Sequence, residues 1–111
     1  MNYDVLPFKN EEFDSIVLDN VLEHIENPSP ILSEIFRVLN KNGLLLIGVP
    51  GKHGYTKDDD HKCFYDEINL NELLKKENFI LKEFFYTPFK SKFLNNNLSA
   101  YCLYGLFKKN Y

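Results

Sequence analysis

The stretch LPFKNEEFDSIVLDNVLEHI, residues 6–25, decides how the chain is read. Leu6-Pro7-Phe8 is an apolar island in a polar, turn-like opening that runs from Asn2 to Glu12. Ser15-Ile16-Val17-Leu18 is a short apolar run with β-branched residues, the pattern of a strand buried on both faces. Asp19 and Asn20 close that strand. Val21, Leu22 and Ile25 follow at helical rather than alternating spacing, and Glu23-His24 form a charged tip.

Outward from this stretch the pattern alternates. Asn27-Pro28-Ser29-Pro30 is helix-start chemistry, with Ser29 as the cap and Pro30 in the first helical position. Ile31, Leu32, Ile35, Val38 and Leu39 make one apolar stripe, while Ser33, Glu34, Arg37 and Lys41 are expected to face away. Asn42-Gly43 ends the helix, with Gly43 in the left-handed conformation. Leu44–Val49 is a second buried strand, closed by Pro50-Gly51. A glycine- and aspartate-rich loop follows to His61. Asn69 is expected to cap a second helix, with Glu72 completing a capping-box-like pair and Leu70, Leu73 and Leu74 on its apolar side. Asn78 stands where the helix should stop. Phe79–Tyr86 and Leu98–Phe107 read as strands, joined by a hairpin-like connection over Pro88–Asn97. Strand, helix, strand, helix, strand, strand argues for an α/β sheet carrying helices, with an antiparallel finish.

Composition bounds the function. The 111 residues are 44% hydrophobic and 15% aromatic, which suits a packing chain of one domain. A net charge of −3, with Lys and Glu mixed along the sequence, makes no basic face for nucleic acid. The longest apolar runs are of strand length, far short of a membrane span. No secretory leader opens the sequence. Cys63 and Cys102 stand far apart and in no metal-like spacing, as in a reduced, cytoplasmic protein.

The order and the residues together resemble the C-terminal half of a class I S-adenosylmethionine-dependent methyltransferase. LPFKNEEFDSIVLDNVLEHI is similar to the family's loop after strand three and its strand four. NPSPILSEIFRVLNKNGLLLIGVP resembles the next helix and strand five, and FYDEINLNELLKKENFILKEFF the last helix and the strand after it. The resemblance runs from Leu6 to about Phe107. It implies a partial Rossmann-like sheet, with the equivalents of strands four to seven and flanking helices, as a single partial domain over residues 1–111. It also implies that the family's first half is absent from the sequence. VPGKHGY, the one glycine-containing loop of note, is not G-x-G-x-x-G and follows strand five rather than strand one.

The resemblance further implies S-adenosyl-L-methionine as cofactor, methyl transfer as activity and a small-molecule acceptor as partner. Weak or no cofactor binding is expected of these residues alone, as for a truncated fragment. Leu6, Pro7 and Phe8 would pass near the adenine, or else plug the space beneath the sheet. Leu18, Asp19 and Asn20 would approach the methionine part of the cofactor. Asp19 suits the ammonium group and Asn20 offers both a donor and an acceptor. Either residue can equally cap the following turn.

His24 is the candidate catalytic base, because its unperturbed pKa lies near neutrality. Glu23-His24 can also serve only to order the loop. Some relatives bind a divalent metal through E-x-x-E-H. Here the stretch reads Asn20-Val21-Leu22-Glu23-His24, and losing the first acid weakens a hard-cation site, so no metal is expected. His53, His61 and Cys63 have no standard zinc spacing. Tyr55, His61 and Tyr65 are candidate acceptor contacts. The rival expectation is a non-catalytic half-domain that pairs through its exposed first strand with a partner or a second copy.

Overall fold

The computed structural model describes residues 5–50, 65–87 and 102–110. Within them the order is β1 (Phe13–Asp19), a 3-10 turn (Leu22–His24), α1 (Ser29–Val38), β2 (Leu39–Pro50), α2 (Glu67–Lys76), β3 (Phe79–Thr87) and β4 (Cys102–Lys109). One sheet takes all four strands in the order β1-β2-β4-β3. β1 and β2 are parallel, as a helical crossover requires, with Ser15 opposite Leu44 and Leu18 opposite Ile47. β4 is antiparallel to both of its neighbours. The α/β sheet with flanking helices, the parallel first pair and the antiparallel finish agree with the sequence reading. The proposed connection over Pro88–Asn97 lies outside the described residues.

The core occupies one face of the sheet. Leu45, Ile47 and Val49 of β2 alternate inward, and Leu103 and Phe107 of β4 join them. Ile31, Leu32 and Ile35 of α1 and Leu70 and Leu74 of α2 cover the same cluster. This is the period-2 pattern of strands meeting the 3.6-period stripes of helices. Phe36 meets Phe79, and Phe84 meets Phe107, edge to face. Lys109 is buried at the far end. Its Nζ donates to the Leu39 carbonyl at 2.8 Å and lies 4.4 Å from the Phe36 ring centroid.

Among the described residues, the opposite face carries no helix. Val17 is 63% exposed there, and Leu44 and Ile80 are also exposed. Ser15-Leu18 is therefore not buried on both faces. Among the described strands β1 is a sheet edge, and its Ile16 and Leu18 turn toward the helices, where they pack on the core. Beside them an apolar groove of about 330 Å³ runs between the β1 edge, α1 and the arm that carries Leu6 and Phe8.

Four local expectations are corrected. Ser29 does not cap α1 but is its first residue; its hydroxyl donates to Glu77, which ties the start of α1 to the end of α2. α1 stops at Val38, and the left-handed residue is Asn42 (φ 62°), not Gly43. Gly43 is needed for space, since a Cβ there would lie 2.8 Å from the Asn40 carbonyl oxygen. α2 starts three residues earlier than expected. Asp66 is its cap and Asn69 its reciprocal partner, each side chain accepting the other's backbone N–H at 2.8 Å. Finally, Glu34 and Arg37 do not simply face solvent, because both hold the arm before β1. Asn78 (φ 70°) does end α2, as the sequence suggests.

Candidate functional site

In an open α/β sheet, ligands lie beyond the carboxyl ends of the parallel strands. Here that end is built from Asp19, the last residue of β1, and the turn after it. Asn20 takes a left-handed conformation (φ 55°), and its N–H donates to the Gly48 carbonyl of β2 at 2.8 Å. Asn tolerates this conformation better than most side chains. The chain is thereby turned out of the sheet and into the 3-10 turn, which closes through His24 N–H to Val21 O at 3.0 Å.

Leu22, fully buried, anchors that turn in the core. Glu23 is also buried, at 1% exposure, while the neighbouring His24 reaches outward with 37% of its side chain exposed. His24 Nε2 stands 3.6 Å from the Glu23 carboxylate. A buried carboxylate so placed can restrict the orientation of the imidazole.

A residue that the sequence reading missed completes this end. Tyr104 of β4 donates its hydroxyl to Asp19 Oδ1 at 3.1 Å. The bond spans β2, and it can do so because β2 has glycine at the crossing. A Cβ on Gly48 would lie 2.5 Å from Asp19 Oδ1 and 2.5 Å from Tyr104 Cε1. The Tyr104 ring is stacked on Phe85 of β3, with centroids 5.3 Å apart and planes 9° apart. Burial, and then the Asp19 carboxylate, push the Tyr104 hydroxyl up to about 12. Tyr104 thus remains a donor across the physiological range. Next to it, burial pushes the Cys102 thiol up, so this cysteine is not activated as a nucleophile.

One expected result follows here. Gly48→Ala should separate Asp19 from Tyr104. With ring-labelled tyrosine, the carbon NMR titration of Tyr104 should then move from about 12 toward the ordinary value of roughly 10. An unchanged midpoint would mean that the strand shifts to keep the bond.

Leu6, Pro7 and Phe8 lie elsewhere, on the flank of α1. Phe8 N–H donates to Leu6 O at 2.9 Å, closing a tight turn about Pro7. Phe8 is 44% exposed and meets Phe13 edge to face at 4.8 Å. Tyr65, just before α2, is 8% exposed and belongs to the core cluster. Tyr55, His53, His61 and Cys63 lie outside the described residues, and the described residues contain no group of three or more metal-ligating side chains. Nor does any described helix have the length and apolarity to cross a membrane. The structure therefore brings Leu18, Asp19, Asn20 and His24 to one end of β1 and adds Tyr104 to them. It sets Leu6-Pro7-Phe8 on a separate support.

Comparison with known proteins gives this geometry a context. Residues 1–47 match the model of a family described as a methyltransferase domain. An uncharacterized protein of Methanocaldococcus jannaschii is 36% identical over 70 residues, which are 59% of this chain and 34% of that protein. A second uncharacterized protein of the same organism is 33% identical over 106 residues, or 93% of this chain and 40% of its own length. The chain thus spans 34% and 40% of these two relatives. Among solved structures, the 1,6-didemethyltoxoflavin-N1-methyltransferase of Burkholderia thailandensis was determined with 1,6-didemethyltoxoflavin and S-adenosylhomocysteine bound. It superposes with a TM-score of 0.75 at 18% identity, covering 100% of this chain and 49% of that one.

Proposed function

We propose that this chain, which has the fold of a class I S-adenosylmethionine-dependent methyltransferase, supplies the methionine end of the cofactor site and the acceptor side of a methyl-transfer enzyme. The observation that carries this reading is the fixed carboxylate of Asp19 at the carboxyl end of β1, held by Tyr104 across Gly48. A carboxylate in that position suits the cofactor's ammonium group, and the Asn20 side chain beside it can pair with the cofactor's polar atoms.

When bound, the cofactor would supply an electrophilic sulfonium methyl to a nucleophilic atom of the acceptor, with S-adenosylhomocysteine as the leaving group. The sulfonium supplies the driving force, so the protein's part is alignment. In this reading His24 takes the proton of an acceptor hydroxyl or amine, and the Glu23 carboxylate 3.6 Å away supports that role by steadying the imidazole. The acceptor is a small molecule in this reading, with Tyr55, His61 and Tyr65 as its candidate contacts.

The sequence contains no G-x-G-x-x-G turn. These residues by themselves should therefore bind the cofactor product weakly, with a dissociation constant on the order of millimolar. The test is an amide NMR titration with S-adenosylhomocysteine. Shifts are expected at Leu18, Asp19 and Asn20, and they should vanish in Asp19→Ala. No perturbation at ten millimolar would sink the reading.

A second reading is a non-catalytic half-domain that pairs through β1. Two observations favour it: among the described residues β1 has a strand neighbour on one side only, and Val17 on it is exposed.

A further inference from the structure

One row of residues crosses all four described strands beside the candidate site. Asp19 of β1 is opposite Gly48 of β2, Gly48 is opposite Tyr104 of β4, and Tyr104 is opposite Phe85 of β3. On the face that carries no described helix, the row reads as carboxylate, gap, phenol and phenyl ring. Tyr104 leans across the gap. Its Cε1 and Cδ1 stand 2.5 and 3.0 Å from where a Gly48 Cβ would be, and its hydroxyl reaches Asp19. Glycine gives the ring room but offers no side chain to pack against it. On the other side Phe85 lies nearly parallel to the ring, with planes 9° apart and centroids 5.3 Å apart. Aromatic pairs on facing strands favour such an offset stack.

Phe85 reaches this position through an irregularity in β3. Leu81 is opposite Phe107, and Glu83 is opposite the adjacent Leu106, so β3 carries one extra residue, Lys82, at that point. The extra residue reverses the alternation of the strand. Phe79 and Leu81 pack on the core before it, and Phe84 and Tyr86 pack on the core after it. Phe85 is thereby turned to the other face, against Tyr104. In an unbroken strand Phe85 would share the face of Phe79 and Leu81. Re-aiming a side chain beside a site is a recurrent use of such bulges.

We propose that Phe85 is a positioning residue, which acts through Tyr104 to hold the Asp19 carboxylate ready for the cofactor's ammonium group. This rests on the reading above, in which Asp19 takes that group. Asp19 is exposed at the end of its strand, where a carboxylate loses rotamer freedom when a ligand fixes it. A hydrogen bond from a fixed phenol selects one rotamer in advance and removes that cost from the binding step. It also leaves further lone pairs of the carboxylate for the ligand. A phenol free to swing would select nothing, so the Phe85 ring belongs to the site although it touches no ligand.

The experiment is a double-mutant cycle on the full chain, with S-adenosylhomocysteine as the NMR-titrated probe. Phe85→Leu should weaken its binding by about fivefold, through lost preorganisation. Phe85→Ile, whose branched side chain suits a strand, is the second variant without a ring. Phe85→Tyr keeps the ring and should bind as the wild type does. Tyr104→Phe should weaken binding to a similar extent, and adding Phe85→Leu to it should weaken binding no further. The desamino analogue of S-adenosylhomocysteine, which lacks the ammonium group, should respond to none of these changes. Equal binding of S-adenosylhomocysteine by the wild type and both ringless variants overturns the positioning role and leaves the cofactor reading standing. So does a loss on Phe85→Leu that is as large in the Tyr104→Phe background, or as large for the desamino analogue, since either marks a general structural role. No binding of S-adenosylhomocysteine to the wild type overturns the cofactor reading, and the role of Phe85 with it.

Discussion

Ile47→Ala is expected to cost about 2–5 kcal/mol, the range for removing a fully buried aliphatic branch whose space the neighbours cannot refill. Ile47 has no exposed surface, and it sits at the centre of β2 between Leu18 of β1 and Gly105 of β4. It faces the single core cluster that both helices share. A typical domain has only about 5–15 kcal/mol of net stability. The variant should therefore unfold at a much lower urea concentration, or not fold at 37 °C. Leu46→Ala is the control, since this preceding residue points to the face that carries no described helix and is only partly buried. Its midpoint should move by less than half as much. Equal shifts for the two variants would show that the second face is covered in solution.

Val17→Lys addresses that same face at its edge. Among the described residues, β1 offers a row of backbone groups with no strand beside them, next to an apolar side chain that is 63% exposed. Strands recruit strands in this way, and a lysine on the edge discourages it. The wild-type chain should self-associate at micromolar concentration. Val17→Lys should weaken that association by tenfold or more without altering helix content. Glu72→Lys, on the exposed side of α2, should leave both unchanged. Sedimentation velocity on the three proteins decides the matter. A compact wild-type monomer at high concentration would remove the pairing reading.

The β1-α1-β2 unit was legible in the sequence because each of its parts has a strong period: an apolar run, a helical stripe, another apolar run. The antiparallel finish was legible for the same reason. An apolar run such as Ser15-Ile16-Val17-Leu18 does not reveal whether one face or both are covered, because that depends on which elements pack over each face of the sheet. The start of α2 was missed because Asp66-Asn69 makes its reciprocal cap with the shorter Asn where the usual pattern has Glu or Gln. At the candidate site, Asp19, Asn20 and His24 stood out by residue type at a strand's end. Tyr104 did not, being one aromatic among several on an alternating strand and 85 residues from its partner. Glu34 and Arg37 were misplaced for a related reason. Charges spaced i, i+3 on the polar side of a helix look like a solvated pair. Only the course of the arm beside α1 gives them a role, although Glu-x-x-Arg opposite an apolar island was a usable hint.

The strand order has a consequence for how the protein is made. Among the described strands β4 comes latest in sequence, yet it lies inside the sheet, between β2 and β3. A nascent chain that has emerged only as far as Thr87 can form the local β1-α1-β2 crossover. It holds β2 and β3 with nothing between them, and Leu45, Ile47 and Val49 lack their facing strand. Local contacts form fast, whereas pairing Leu44 with Lys108 must wait for residues far along the chain. Folding during synthesis should therefore stop at an open, apolar intermediate until Cys102–Lys109 inserts. Ribosome-bound chains halted before Cys102 should be protease-sensitive throughout α2 and β3, and chaperones have their longest opportunity to bind during that interval.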